Sequence, residues 1–156
     1  MNFGTPFTLR KASLEDVDAI YNLLQYFAER KLLLPKTKDQ LFHQIRSFRV
    51  IYSANQLVGS AQLDIFTSEL AEVKSLAVHE DFHGHGLGRL LVEDCEKEAM
   101  TMKVKNIFAL TYQVKFFEKL NYRLVDIQSL PEKVFKECVV CPFYGACNEN
   151  ALLKNL

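Results

Sequence analysis

Residues 75–91, SLAVHEDFHGHGLGRLL, hold the residue types and spacing best suited to binding a ligand. Gly84, Gly86 and Gly88 alternate directly after an apolar stretch and directly before a helical pattern of leucines. The first amides of a helix have no intrahelical partner, and the helix dipole favours negative charge there. Glycines let the backbone approach a phosphate and adopt positive φ angles. The segment therefore predicts a cradle for a diphosphate-bearing cofactor.

Two other phosphate-binding loops do not match this segment. A Walker loop ends in Gly-Lys-Ser/Thr, whereas Gly88 is followed by Arg89 and Leu90. A dinucleotide fingerprint follows the first strand of its βαβ unit with a different glycine spacing, whereas this loop lies in the middle of the chain. A plain turn and helix cap without ligand remains as the alternative. Three spaced glycines disfavour it, because they cost stability unless the backbone must approach something.

The stretch His83-Gly84-His85-Gly86-Leu87-Gly88 resembles motif A of the GNAT acetyltransferases, Q/R-x-x-G-x-G/A, which grips the pyrophosphate of acetyl-CoA. A histidine stands where the family usually has Gln or Arg. The resemblance implies acetyl-CoA as co-substrate and a backbone amide near Leu76 or Ala77 that holds the thioester carbonyl. The cofactor-binding residues that it implies are Leu76, Ala77, Val78, His83, Gly84, His85, Gly86, Leu87, Gly88 and Arg89.

Glu72 is the candidate general base. Acetyl transfer needs a neutral amine, and a general base typically contributes about 10²–10⁴-fold to such a step. Glu72 lies six residues before Val78 in Ala-Glu-Val-Lys-Ser-Leu-Ala-Val, and the resemblance places a catalytic glutamate at this position. Ser75 on the same strand is assigned to substrate binding. The alternative for Glu72 is a solvated side chain or half of an ion pair.

The general acid is less well marked. Many GNAT enzymes carry a tyrosine in the short helix after the next strand, and Phe117 occupies that position here, in FFEKLNY. Thr111, Tyr112 or a water molecule is left to protonate the departing thiolate, and we rank Thr111 first. The alternative is that the Thr111 hydroxyl caps the backbone at the end of its strand.

Further segments resemble the acetyltransferase domain of N-acetylglutamate synthases. They are the Leu-Thr strand end, FFEKLNY, and LPEK at residues 130–133. Residues 32–41 resemble a stretch in which a basic residue, here Lys36, helps to hold the substrate carboxylate. An amino-acid-kinase domain is absent, so the resemblance implies a short, stand-alone version. A surface lysine without ligand is the alternative for Lys36.

The expected function is therefore acetyl-CoA-dependent N-acetylation of the α-amine of a small amino acid, L-glutamate first, in arginine biosynthesis. The cysteine-rich end of the chain departs from the synthase pattern, so another amino acid stays open. An acetyltransferase for a protein amine or a polyamine is the alternative among enzymes. A non-catalytic acyl-CoA-binding sensor is the alternative from another class, because the usual tyrosine is replaced.

The amino-acid composition restricts the other classes of protein to which the chain could belong. The chain has 156 residues with 19 basic and 19 acidic side chains, which disfavours a general nucleic-acid or membrane surface. Residues 1–11 lack an apolar signal core, and no run reaches the roughly 18 apolar residues of a membrane span. We expect a cytoplasmic protein with a small-molecule partner and allow for a homodimer.

Cys138, Cys141 and Cys147 are spaced C-x₂-C-x₅-C. Three ligands fall one short of a structural zinc site, so no metal is assigned. Cys95 is expected in the core, because it lies on the apolar face of a predicted helix.

Periodicity predicts a single α/β domain over residues 1–156, with a core at about 7–127 and a cysteine-containing extension at 128–156. The order of elements matches the GNAT acyl-CoA N-acyltransferase fold, a splayed mixed sheet with helices on both faces. Strands are predicted at 7–11, 48–53, 57–66, 70–78, 106–111, 122–127 and 151–156. Helices are predicted at 13–27, 37–45, 87–102 and 115–120, the first two opened by capping boxes at Ser13 and Thr37.

Overall fold

The computed structural model describes residues 6–130 and 150–156. Seven strands form a mixed sheet with the hydrogen-bonding order β1-β2-β3-β4-β5-β7-β6. The strands are β1 (Phe7–Lys11), β2 (Phe48–Ser53), β3 (Gln56–Thr67), β4 (Leu70–Val78), β5 (Asn106–Thr111), β6 (Arg123–Val125) and β7 (Asn150–Asn155). The helices are α1 (Val17–Glu29), α2 (Lys38–Gln44), α3 (Leu87–Thr101) and α4 (Val114–Glu118). This is the α/β architecture predicted from the sequence.

The two predicted capping boxes behave differently. At α2 the Gln40 N–H donates to Thr37 Oγ1 over 3.1 Å, and the Thr37 N–H donates to Gln40 Oε1 over 2.9 Å, as predicted. At Ser13 the backbone N–H donates to Asp16 Oδ2 over 2.7 Å, but the turn that follows is a 3-10 turn at Leu14–Asp16. The α-helix itself begins at Val17, four residues after the predicted start at Ser13.

The described residues group into two compact units, the first of which comprises residues 6–63 and 73–97. In this unit, Phe48 and Val50 of β2 pack with buried residues of α1 and α2. On the other face, a Cβ added at Gly59 of β3 would lie 3.1 Å from Leu91 Cδ1 of α3. Helices therefore cover both faces of this part of the sheet, as predicted.

The second unit comprises residues 64–72, 98–130 and 150–156. Its buried core contains Leu70, Phe108, Leu130 and Ala151. The predicted last strand is confirmed as β7, which runs antiparallel to both β5 and β6. It lies between two strands that are neighbours in sequence, a position that the order of elements along the chain does not reveal.

A buried carboxylate ties β1, β2 and the start of α1 together. Asp16 is 2% exposed and accepts two hydrogen bonds from the Arg10 guanidinium, over 2.8 and 2.9 Å. It also accepts one from the Tyr52 hydroxyl over 2.8 Å. Burial by itself raises the pKa of Asp16, but the hydrogen bonds from Arg10, Ser13 and Tyr52 outweigh it and hold the pKa at about 2. Burial and the bond to Asp16 raise the pKa of Tyr52 to about 12.

Asp16 therefore makes the free energy of unfolding depend on pH in the acidic range. Because its pKa falls from 3.8 to about 2 on folding, the stabilisation is present above pH 4 to 5 and is lost as the pH falls towards 2. We expect Asp16→Asn to lower the free energy of unfolding at pH 7 by about 2 kcal/mol, and this deficit to shrink below pH 4. Urea denaturation of both proteins from pH 7 to pH 2.5 measures it. A deficit that stays constant over this range would contradict the assignment.

Candidate active site

The glycine-rich loop joins the end of β4 to the start of α3. A 3-10 turn at Glu80–Phe82 follows the strand, and Gly84 and Gly86 then adopt φ angles of 86° and 74°. The first hydrogen bond that closes α3 runs from the Leu90 N–H to the Gly86 carbonyl over 3.1 Å. The preceding amides have no carbonyl acceptor within the helix, as at any helix N-terminus. The loop thus has the geometry of an anion cradle.

Space beside the two glycines is open. A Cβ added at Gly84 or Gly86 would meet no described atom within 4 Å. The positive φ angles therefore account for glycine at these positions, and internal crowding does not. Open space next to helix N-terminal amides fits a diphosphate that approaches the backbone.

His83 secures this loop to the strand. Its Nε2 lies 2.8 Å from the Val78 carbonyl oxygen, at which distance the protonated nitrogen donates a hydrogen bond. His83 replaces the Gln or Arg that is usual in the family, and its side chain still supplies a hydrogen-bond donor at this position. His85 is exposed as His83 is, and its ring packs against Phe7 with 5.7 Å between the ring centroids. Arg89 is also exposed and pairs with Glu93 over 3.2 Å.

The strand that enters the loop is irregular at Ser75. This residue adopts a φ of 53°, a left-handed conformation that costs a non-glycine residue roughly 1–2 kcal/mol. Its carbonyl oxygen lies 3.5 Å from Ser60 Oγ of β3. A left-handed residue breaks the alternation of a strand, so it reorients the amides of Leu76 and Ala77 that follow. No sequence signal pointed to this feature, because serine is unremarkable within a strand.

Lys36 lines an open pocket of about 430 Å³ in the first unit. The lining residues are Tyr21, Gln25, Pro35, Lys36, Thr37 and Lys38. The Lys36 ammonium donates to Gln44 Oε1 over 2.9 Å, whereas Lys38 pairs with Asp18 over 3.2 Å. A volume of this size accommodates a small ligand, and the lysines supply positive charge beside it. Nothing in the sequence pattern singles out Gln44.

Glu72 and Thr111 lie on adjacent strands of the second unit. Glu72 is 7% exposed and stands in parallel register with Phe108 of β5. Thr111 lies three residues further along β5, about 10 Å at the rise of a strand. Its Oγ1 accepts a hydrogen bond from the Gln113 N–H over 2.8 Å, which is the backbone-capping role named above. The hydroxyl proton is not used in that bond.

The phenylalanine that replaces the usual tyrosine is a core residue. Phe117 is 3% exposed and packs against Tyr122 with 5.1 Å between the ring centroids. No phenol group is supplied by this position of α4.

The remaining predictions concern cysteines and membranes. Cys95 is buried, as predicted, whereas Cys138, Cys141 and Cys147 lie outside the described residues. Within residues 6–130 and 150–156, no three His, Cys, Asp or Glu side chains are grouped so as to hold a metal ion. None of the helices in those two ranges has the length and apolar character needed to cross a membrane.

Solved structures of known enzymes share this fold. N-acetylglutamate synthase from Neisseria gonorrhoeae, complexed with coenzyme A and N-acetyl-glutamate, superposes with a TM-score of 0.89 at 23% identity, over 97% of this chain and 35% of that one. Rv2747 from Mycobacterium tuberculosis, in complex with CoA, gives 0.83 at 24% identity, over 96% and 99% of the two chains. At these identities the likeness establishes the fold.

Sequence relatives are closer. An uncharacterized N-acetyltransferase of Chlorobaculum tepidum is 34% identical over 148 residues, which is 95% of this chain and 96% of the relative. An amino-acid acetyltransferase of Pasteurella multocida is 27% identical over 128 residues, 81% of this chain and 29% of the relative. The chain thus spans less than a third of the amino-acid acetyltransferase that it matches.

The family model of the acetyltransferase (GNAT) family matches residues 14–122. This range contains β4, the glycine-rich loop and all of α3. Acetyl-CoA, the acyl donor of this family, is accordingly the co-substrate, and the cradle geometry fits its diphosphate. The chain belongs to the GNAT family of N-acetyltransferases.

Proposed function

We propose that this protein transfers the acetyl group of acetyl-CoA to the α-amine of a small amino acid, with L-glutamate as the leading substrate. The observation that carries the proposal is the Lys36 ammonium on the wall of an open pocket, within the same compact unit as the anion cradle. The names of the amino-acid acetyltransferase relatives and the N-acetyl-glutamate bound to the Neisseria gonorrhoeae enzyme support it.

The cradle residues position the acyl donor. The amides of Gly86, Leu87, Gly88 and Arg89 are the groups we assign to the diphosphate, with His83 keeping the loop against β4. An amide at Leu76 or Ala77, reoriented by Ser75, is assigned to the thioester carbonyl as an oxyanion donor. When bound, the thioester supplies an activated acetyl group with a thiolate leaving group.

Glu72 and Thr111 are assigned to the proton transfers. Glu72 accepts a proton from the substrate ammonium, and the free amine then attacks the carbonyl carbon. As the N–C bond forms, the C–S bond breaks and the attacking nitrogen releases its second proton. The Thr111 hydroxyl or a water molecule accepts that proton and passes its own proton to the departing thiolate, so the products are the N-acetyl amino acid and CoA thiol. Burial of Glu72 suits this role, because a base away from bulk water is not saturated by hydrogen bonds from solvent.

Lys36 is assigned to a substrate carboxylate, because an ammonium pairs with a carboxylate through charge-assisted hydrogen bonds. Ser75 is kept as a second substrate contact. A glutamate substrate would place the reaction in arginine biosynthesis, and the cytoplasm is the compartment we propose for it.

The test is CoA release from acetyl-CoA with a panel of L-amino acids, spermidine and a peptide with a free N-terminus. We expect the highest kcat/KM for L-glutamate, and we expect Lys36→Met to raise its KM roughly tenfold because a charge-assisted hydrogen bond is lost. Lys31→Met is the matched control, since Lys31 lies in the same connecting segment but not among the pocket-lining residues.

Three outcomes would overturn parts of this proposal. Turnover of other amino acids alone would discard glutamate and retain the amino-acid reaction. Preference for spermidine or the peptide would replace the amino acid by a polyamine or a protein amine. Acetyl-CoA binding without turnover of any amine would favour an acyl-CoA sensor.

A further inference from the structure

Polar side chains form a continuous hydrogen-bonded chain behind Lys36. Lys36 Nζ donates to Gln44 Oε1 over 2.9 Å, and Gln62 Nε2 donates to the same oxygen over 3.0 Å. Gln62 Nε2 also lies 3.0 Å from Ser47 Oγ, whose hydroxyl donates to the Gln44 carbonyl over 2.7 Å. We call Gln44, Ser47 and Gln62 the glutamine relay. It connects α2 and β3 to the wall of the pocket.

The ammonium sets the direction of the hydrogen bonds to Gln44 Oε1. Because an ammonium group is only a donor, the Gln44 atom that faces Lys36 must be the amide oxygen. That oxygen then requires a donor from Gln62, so the Gln62 amide must turn its NH₂ group towards Gln44. Ser47 accepts from the same NH₂ group because its own proton is already donated to the Gln44 carbonyl.

This arrangement leaves one buried acceptor without a donor. Gln62 is 3% exposed, and no group in residues 6–130 or 150–156 donates to its Oε1. Buried polar atoms are nearly always hydrogen-bonded, so the orphan oxygen is unfavourable. Turning the amide over would place its oxygen against Gln44 Oε1 and break the connection to Lys36. An apolar residue at position 62 would fill the space without leaving an unsatisfied atom.

We propose that Gln44 and Gln62 are positioning residues, which hold the Lys36 ammonium in place to receive the substrate carboxylate and so set the affinity for the amino acid. This inference rests on the proposed function, in which Lys36 binds that carboxylate. A lysine side chain loses considerable rotamer freedom when it binds a ligand, and a relay that restrains it in advance reduces that loss. Gln62 must keep its NH₂ group towards Gln44 and Ser47, and this orientation leaves its own Oε1 without a hydrogen-bond donor.

The test uses Gln62→Met and Gln44→Met, both close in size to the native side chain. We expect each to raise the KM for the amino acid by roughly fivefold, or about 1 kcal/mol, with kcat and the KM for acetyl-CoA unchanged. The melting temperature of Gln62→Met should stay level or rise, because the orphan oxygen is removed. Gln56→Met, at an exposed position of the same strand, is the control and should change none of these values. If Gln62 had a purely structural role, Gln62→Met would lower the melting temperature and leave the KM for the amino acid unchanged. That result would overturn the proposal.

A double-mutant cycle tests the positioning role of Gln62 separately from the proposed binding of the substrate carboxylate by Lys36. In a Lys36→Met background, Gln62→Met should raise the amino-acid KM no further, because Gln62 acts through Lys36. Additive effects would overturn the relay alone. If Lys36→Met itself leaves every KM unchanged, the carboxylate assignment of the proposed function fails.

An NMR readout does not depend on turnover. The Gln62 side-chain amide protons should exchange slowly with solvent in the native protein and faster in Lys36→Met. Without the ammonium, the Gln44 amide is free to turn over, and its oxygen is then no longer held towards Gln62. Equal exchange rates in the two proteins would contradict the relay.

Discussion

Glu72→Gln should lower kcat by about 10²–10⁴-fold, the usual contribution of a general base. The substitution keeps the shape of the side chain but removes its ability to accept a proton. Glu72 is buried on β4, beside Phe108 of β5, so a replacement of equal size disturbs packing least. The KM for acetyl-CoA should stay unchanged, because the amides and His83 that we assign to the cradle are retained. Steady-state measurement of CoA release provides both values.

The pH profile shows whether the loss is one of proton transfer. Without a base, the residual rate should rise steadily with pH, since it follows the fraction of substrate present as free amine. The native enzyme should instead level off once its base is ionised. Glu69→Gln is a matched control, because Glu69 lies just before β4, is exposed and pairs with Lys105. Retention of more than about half of kcat in Glu72→Gln would remove this residue from the mechanism.

Gly86→Val should raise the KM for acetyl-CoA by about 100-fold, comparable to the loss of two hydrogen bonds to a charged group. Two effects combine at this position. Valine is strained at a φ of 74°, so the loop shifts, and its side chain fills the open space beside the helix amides. Neither effect requires an internal clash, since an added Cβ meets no described atom within 4 Å. Titration of acetyl-CoA in the kinetic assay and by calorimetry measures the loss.

Asn121→Val controls for strain alone. Asn121 has a φ of 73° in the turn after α4, so valine meets the same backbone problem away from the cradle. Both variants should lose about 1–2 kcal/mol of stability, but only Gly86→Val should lose affinity for acetyl-CoA. Equal affinity losses in the two variants would show that general destabilisation, and not the cradle, explains the effect.

Local features of this protein were readable from the sequence because their physical causes are local. The Thr37 capping box needs only two side chains three residues apart, and it opens α2 as predicted. The helical spacing of leucines after Gly86 predicts α3 because apolar periodicity follows the geometry of the helix itself. The glycine-rich loop is likewise a short-range signal, since glycine tolerates the positive φ angles that the turn adopts.

Features that depend on pairing across the chain were decided by the tertiary structure. The sequence by itself determined most of the elements, the cradle and the candidate residues, because residue type and spacing control local geometry. Only the fold decided that β7 lies between β5 and β6, because strand order depends on long-range hydrogen bonds. Asp16 and Tyr52 are 36 positions apart, and Gln44 and Gln62 are 18 apart, so no spacing rule could have joined them. Side chains that are distant in sequence become partners only after the core packs, and those partnerships set the pKa of Asp16 and join Gln44 to Gln62.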